Sequence, residues 1–133
     1  MYTLYFDGCS KGNPGSSGAG YSILDEDGKE CSSGYEYLGD QTNNYAEYSA
    51  LIIGLKEADN IFVKHLHVKG DSKLVIEQMS CRWKCRSKNL APLYTSCINY
   101  LRKFNSVTFE HIPRNENKRA DLLANMAVTM SGF

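Results

Sequence analysis

Four carboxylates, Asp7, Glu47, Asp71 and Asp121, each stand where a strand pattern ends or a helix pattern begins. Their contexts are Tyr5-Phe6-Asp7-Gly8, Thr42-Asn43-Asn44-Tyr45-Ala46-Glu47, Lys69-Gly70-Asp71-Ser72 and Asn117-Lys118-Arg119-Ala120-Asp121. A fold that aligns those seams gathers the four acids into one cleft. Such a cleft repels itself unless hard cations fill it, and Mg²⁺ with oxygen ligands is the usual solution. Carboxylates bridging two metals are a common arrangement for phosphodiester cleavage, so metal-dependent nucleic-acid hydrolysis is the leading expectation.

The patterns between the acids predict the layers. Residues 2–6 alternate, with Tyr2, Leu4 and Phe6 on one face and Thr3, Tyr5 and Asp7 on the other. Gly8 to Gly20 is rich in glycine and holds Pro14, so it reads as a turn or long hairpin loop. Residues 20–24 and 31–38 read as strands around the turn Asp25-Glu26-Asp27-Gly28. A helix is expected from Asn44 to about Asp59, with Glu47, Leu51 and Leu55 on one face. Leu66 and Val68 mark a fourth strand, followed by a short helix from Ser72 to Met79. Asn89 is expected to cap a helix striped by Leu93, Cys97, Leu101 and Phe104. Val107, Phe109 and His111 alternate on a fifth strand stopped by Pro113, and a last helix starts near Asn117. The order βββαβααβα implies an α/β fold with a mixed five-stranded sheet and helices on both faces. No linker or repeat divides residues 1–133, and one domain is expected.

Composition narrows the function classes. The 42% hydrophobic fraction is that of an ordinary globular protein, with no run long enough to span a membrane and no secretion signal in the pattern. The five cysteines, Cys9, Cys31, Cys81, Cys85 and Cys97, include no Cys-x-x-Cys pair. They read as free thiols of an intracellular, reducing compartment, and a zinc site is not expected. Fifteen basic residues balance fifteen acidic ones, which argues mildly against a nucleic-acid binder. The distribution offsets this, since Lys69, Lys73, Arg82, Lys84, Arg86 and Lys88 crowd one stretch.

Each acid has a structural reading too. Asn44-Tyr45-Ala46-Glu47 fits a capping box, Asp71 fits a helix cap, and Asp121 fits a first-turn acid favoured by the helix dipole. Asp7 fits least well, because aspartate is disfavoured at a strand end beside Tyr5. The four together outweigh the separate readings. The glycine-rich stretch lacks the spacing of a P-loop and precedes a strand rather than a helix. His65 and His67 share one face of the fourth strand and read as surface residues. Trp83, among Arg82, Lys84 and Arg86, reads either as a stacking residue beside a phosphate backbone or as a core plug.

The runs Asp7-Gly8-Cys9-Ser10-Lys11-Gly12-Asn13-Pro14-Gly15, Thr42 to Glu47, Gly70-Asp71-Ser72-Lys73-Leu74-Val75 and Pro113 to Asp121 resemble type 1 ribonuclease H, in order and spacing, over almost the whole chain. The resemblance implies the ribonuclease H-like fold and endonucleolytic cleavage of the RNA strand of RNA–DNA hybrids, leaving 5′-phosphate and 3′-hydroxyl ends. It implies two Mg²⁺ or Mn²⁺ ions held by Asp7, Glu47, Asp71 and Asp121. Asn13, Asn43 and Asn44 become minor-groove contacts, and Thr42 and Asn89 phosphate contacts. The short stretch Cys81 to Asn89 looks like the compact archaeal-type branch, without the long basic handle helix. The loop before Asp121 holds no histidine; His111, ten residues upstream within a strand, and Arg114 are the auxiliary candidates. The expected partner is the hybrid duplex, met by a monomer with no membrane contact.

Two other functions fit less well. A relative of the same fold that cuts DNA junctions or double-stranded RNA is the runner-up; the Asn13 and Asn43-Asn44 amides favour the hybrid, since amides suit a minor groove with 2′-hydroxyls. A catalytically dead binding module would not need an intact acid set.

Overall fold

The computed structural model describes residues 1–131. Five strands, β1 (Tyr2–Gly12), β2 (Gly15–Leu24), β3 (Glu30–Gln41), β4 (His65–Gly70) and β5 (Ser106–His111), form one sheet. The strands lie in the order β3-β2-β1-β4-β5. The β1–β2 and β2–β3 pairs are antiparallel, and the β1–β4 and β4–β5 pairs are parallel. Among the described residues, four α-helices complete the fold, α1 (Asn43–Asn60), α2 (Lys73–Met79), α3 (Ala91–Leu101) and α4 (Lys118–Met130), with a 3-10 turn at Arg114–Glu116. The mixed sheet and the order βββαβααβα match the sequence reading. Among the described residues no helix is long and apolar enough to cross a membrane.

The core follows from the strand alternation. Leu4 and Phe6 of β1, Ile23 of β2, and Leu66 and Val68 of β4 are fully buried with Tyr48, Leu51 and Leu55 of α1. Cys97 of α3 and Val75 and Ile76 of α2 join the same cluster. The opposite face of β1 and β2 carries α4, whose Ala120, Leu123, Ala124 and Ala127 are buried. Small α4 residues meeting a strand glycine let the two backbones touch. A Cβ at Gly20 would lie 2.5 Å from the Ala124 nitrogen and 2.6 Å from the Ala120 oxygen. Met130 ends outside this stripe, about half exposed.

Four local expectations change. The glycine-rich stretch is not a loop: the β1–β2 ladder runs through it from Thr3↔Leu24 to Gly12↔Gly15, leaving only Asn13 and Pro14 in the turn. Gly8, Gly18 and Gly20 there serve close packing against helix backbone, and Gly12, at φ 119°, serves the chain reversal. The cap of α1 is Thr42, whose Oγ1 accepts from the Tyr45 N–H at 3.2 Å, so Asn44 and Glu47 form no capping box. Asn89 caps nothing: α3 begins after Leu90 with Pro92 in its first turn and no side-chain cap. Likewise Ser72, not Asp71, caps α2, its Oγ accepting from the Val75 N–H at 3.3 Å. Trp83 is about half exposed, which removes the core-plug reading, and its ring lies under Lys73 Nζ at 5.8 Å. His65 and His67 are on the outside of β4, hydrogen-bonded to Ser106 and Thr108. All five cysteines are free thiols.

Replacing Gly20 by Ala tests the α4 contact. The added methyl meets helix backbone, which cannot swing aside, so the variant should lose about 1–3 kcal/mol. Thermal or urea melting reads this loss; an unchanged midpoint would contradict the seating of α4 on β2.

Candidate active site

The seams between strands and helices converge at one edge of the sheet. Asp7 sits in β1 just before Gly8, and Gly8 is where β1 meets the first turn of α1. A Cβ at Gly8 would overlap the backbone of Ala46 and Glu47, so only glycine allows the approach. The approach is fixed by a hydrogen bond, the Gly8 N–H donating to Glu47 Oε1 at 2.6 Å. Asp71 follows the last residue of β4, the strand parallel to β1. Asp7, Glu47 and Asp71 each offer a carboxylate oxygen, and these oxygens lie within 4.8 Å of one another. Asp121, in the first turn of α4, stands beside Asp7 and opposes its ionisation.

Burial makes this cluster electrostatically costly. Asp7 is 4% exposed and Glu47 is 2% exposed. Desolvation is the main cause that raises the Asp7 pKa, followed by the Glu47 charge and then by Asp71 and Asp121. Glu47 is pushed up to about 7, chiefly by desolvation; the Asp7 side chain, the Gly8 N–H and the more distant Arg114 guanidinium partly offset that. One oxygen, Glu47 Oε2, is buried with no hydrogen-bond partner. A buried carboxylate oxygen without a partner costs several kcal/mol unless something supplies positive charge. The donor set is all oxygen, the kind that hard divalent cations select. The residues present therefore fit the Mg²⁺ or Mn²⁺ that the sequence implied.

Two cavities open here. The first, about 600 Å³, is lined by Asp7, Glu47, Asp71, Asn43, His111 and Arg114 among others. His111 ends β5, and its Nε2–H donates to the Asp71 carbonyl at 3.2 Å. The second, about 500 Å³, gathers Asn13, Thr42, Asn44 and Asn89 with Lys84 and Arg86. The first turn of α1 separates them. Asn13 Oδ1 accepts from the Asn43 N–H at 3.0 Å, tying the β1–β2 turn to the start of that helix. The four acids and the expected substrate contacts thus lie along one surface.

Two asparagines at this site did not stand out in the sequence. Asn117 is 1% exposed; its Nδ2 donates to the Phe6 carbonyl at 2.9 Å and to Asp71 Oδ2 at 3.1 Å. Asn125 donates to Asp121 Oδ1 at 3.1 Å and accepts from Lys11 Nζ at 2.5 Å. Asn117 reads in sequence as an ordinary helix start, and Asn125 lies one turn after Asp121, the only hint available.

The family model described as reverse transcriptase-like matches residues 5–127. Ribonuclease HI of Halobacterium salinarum is 37% identical over 124 residues, which make up 93% of this chain and 62% of that protein. The bifunctional protein Rv2228c of Mycobacterium tuberculosis is 40% identical over 123 residues, 92% of this chain and 34% of that protein. The chain thus spans less than two thirds of the length of these curated relatives. LC11 ribonuclease H1, solved in complex with an RNA/DNA hybrid, superposes with a TM-score of 0.95 at 32% identity, covering 100% of both chains. A five-stranded mixed sheet with a carboxylate cluster at its edge defines a ribonuclease H-like protein. The chain belongs to the type 1 ribonuclease H family, on its archaeal-like side. In keeping with the compact branch, no helix lies between Met79 and Ala91 among the described residues.

The raised carboxylates predict the pH dependence of stability without metal. From about pH 4, where unfolded carboxylates ionise, to about 7 for Glu47, the folded state holds more protons than the unfolded one. The stability that these raised acids contribute should therefore be full below about pH 4 and fall as pH rises through that window. Saturating Mg²⁺ should reverse the loss, by about 2.7 kcal/mol at a hundredfold excess over Kd. Melting curves in chelator and in Mg²⁺ across this range test both; a metal-independent midpoint would show that the acids do not share an ion.

Proposed function

We propose that this protein is a metal-dependent endoribonuclease that cuts the RNA strand of RNA–DNA hybrids, leaving 5′-phosphate and 3′-hydroxyl ends. The observation that carries this reading is the convergence of Asp7, Glu47 and Asp71 around the unpartnered Glu47 Oε2. It has further support from the halobacterial ribonuclease HI relative and from the hybrid held by LC11 ribonuclease H1. Asp7, Glu47, Asp71 and Asp121 would hold two Mg²⁺ or Mn²⁺ ions. When bound, those ions supply an activated water and neutralise charge at the departing 3′ oxygen.

The chain's own residues do the rest. Asn117 fixes Asp71, and Asn125 fixes Asp121, so the carboxylates need little reorganisation when substrate arrives. Asn43 and Asn44, on the first turn of α1, and Asn13 beside them face the minor groove, where amides can meet 2′-hydroxyls. Thr42 and Asn89, with Lys84 and Arg86, take a phosphate in the second cavity. His111 commits Nε2–H to the Asp71 carbonyl, which leaves Nδ1 to accept or return a proton at the leaving group. Arg114 lines the same cavity and favours the charged form of Glu47. All the acids come from one chain, so a monomer suffices.

The direct test is incubation with Mg²⁺ and end-labelled hybrid, duplex DNA and duplex RNA. Cleavage of the RNA strand of the hybrid alone is expected; cutting of another duplex in preference would overturn the reading. Asp71→Asn should keep the fold, because Ser72 caps α2 and an amide can still meet Asn117, while activity falls by at least ~10³-fold through loss of a charged ligand. Near-normal cleavage by folded Asp71→Asn would remove Asp71 from the ligand set.

Asn44→Ala separates binding from folding. Thr42, not Asn44, caps α1, so its melting temperature should stay close to the parent value. Hybrid cleavage should weaken roughly tenfold, the size of one lost hydrogen bond to substrate. Kinetics beside melting reads both; full activity in Asn44→Ala would exclude minor-groove reading by this side chain.

A further inference from the structure

Residues 80–90 join α2 to α3 without a helix or strand of their own. They carry Arg82, Trp83, Lys84, Arg86 and Lys88. The start of the segment is tied down. The N–H groups of Arg82 and Trp83 donate to the Glu77 carbonyl at 2.9 and 3.2 Å, and the Arg82 guanidinium pairs with the Glu77 carboxylate. The remainder is held differently. Among the described residues, Lys84–Asn89 has a single hydrogen bond to anything beyond itself and the helix it enters: Gln78 Nε2 donates to the Lys84 carbonyl at 3.3 Å.

Gln78 is no surface residue. It is 4% exposed, on the inner side of α2. The other end of its amide meets the hydroxyl of Tyr48, which is fully buried and directly follows Glu47 in α1. The direction of the network is fixed by chemistry. A carbonyl only accepts, so the end facing Lys84 is the NH₂, and the end facing Tyr48 is the oxygen that takes the hydroxyl proton. Both ends of a buried amide are therefore spent, one on the helix that bears Glu47 and one on the basic segment. A buried polar side chain used in this way is costly unless fully paired, and rigid when it is.

We propose that Gln78 is the positioning residue of the basic segment: held by Tyr48, it anchors the Lys84 backbone so that Lys84 and Arg86 face the cavity shared with Asn13, Thr42, Asn44 and Asn89. With no helix in the segment to stiffen it, this amide is its one hydrogen-bonded tie to the layer that bears the acid cluster, beside the packing of Cys85 on the core. The substrate half of this inference rests on the proposed hybrid cleavage. The anchoring half does not.

The test uses Gln78→Met, of similar length and with no N–H, alone and combined with Tyr48→Phe. Gln78→Met strands the Tyr48 hydroxyl and should melt earlier; the double variant has no stranded hydroxyl and should melt near the parent. In both, trypsin should cut after Lys84, Arg86 and Lys88 faster than in the parent. In both, KM for hybrid should rise roughly threefold to tenfold, with kcat within about twofold. A side chain that merely filled the core would move stability but not trypsin cleavage or KM once the double variant restored folding. Parent-like trypsin cleavage in the double variant would overturn the anchor. Faster trypsin cleavage with unchanged KM would overturn the placement of Lys84 and Arg86 on substrate. If the parent protein cut no hybrid at all, the functional reading would fail, and the trypsin comparison would still decide the anchor.

Discussion

The hydrogen bond from the Gly8 N–H to Glu47 Oε1 is the contact on which the rest of the site depends. It forms only because position 8 lacks a side chain, which brings β1 against the backbone of α1. Once formed, it fixes the depth of α1 against the sheet and turns Glu47 toward Asp7. Parallel pairing of β4 with β1 then brings Asp71 to the same edge. The energetics of this contact are lopsided. A hydrogen bond to a charged group returns about 1.5–3 kcal/mol, whereas burying a carboxylate costs several. One N–H cannot offset two buried acids and a third beside them. The fold thus holds a local deficit that a proton or a cation must fill. Shared protons fill it at low pH, and divalent cations suit the all-oxygen ligand set near neutrality.

The same helix turn that bears Glu47 organises the neighbouring surface. Thr42 caps α1, Asn43 receives the side chain of Asn13, and Asn44 opens into the second cavity. A rigid α-helical turn therefore spaces polar contacts and carboxylates, with no flexible loop between them. The even charge balance of the chain fits this arrangement. If the protein cuts hybrids as proposed, few cationic side chains are placed for phosphate, and geometry from amides and hydroxyls would carry more of the recognition than bulk electrostatics.

What could be read from the sequence depended on how local the cause was. Helix and strand types followed from periodicity, and the acids stood out because each sat at a seam. The glycine-rich stretch misled because glycine usually signals a turn, whereas Gly8 and Gly20 are there to admit helix backbone. Asn44 looked like a cap because its spacing to Glu47 fits one; Thr42 holds that role, and Glu47 is spent on Gly8. Asn117 and Gln78 had no visible signal of importance, and Asn125 had only its spacing from Asp121. Asn117 meets residues 111 and 46 positions away in the chain, and Gln78 meets Tyr48 30 positions away. Such pairings exist only once the layers are assembled.

The polar links at the edge of the sheet divide into two kinds. Asn117 and Gln78 are buried, and each amide joins two separate elements: β1 to the start of β4's following turn in one case, α1 to the basic segment in the other. Asn125 is more accessible and joins Asp121 to Lys11 on the β1–β2 hairpin. Buried links hold their geometry whether or not a ligand is present, because breaking them strands a polar group away from water. The accessible link can exchange with solvent at little cost. Among the acids, Glu47 and Asp71 are therefore held by buried links, through the Gly8 N–H and Asn117, and Asp121 by an accessible one. A cluster built this way can keep its innermost oxygens fixed while its outer carboxylate adapts to what enters the cleft.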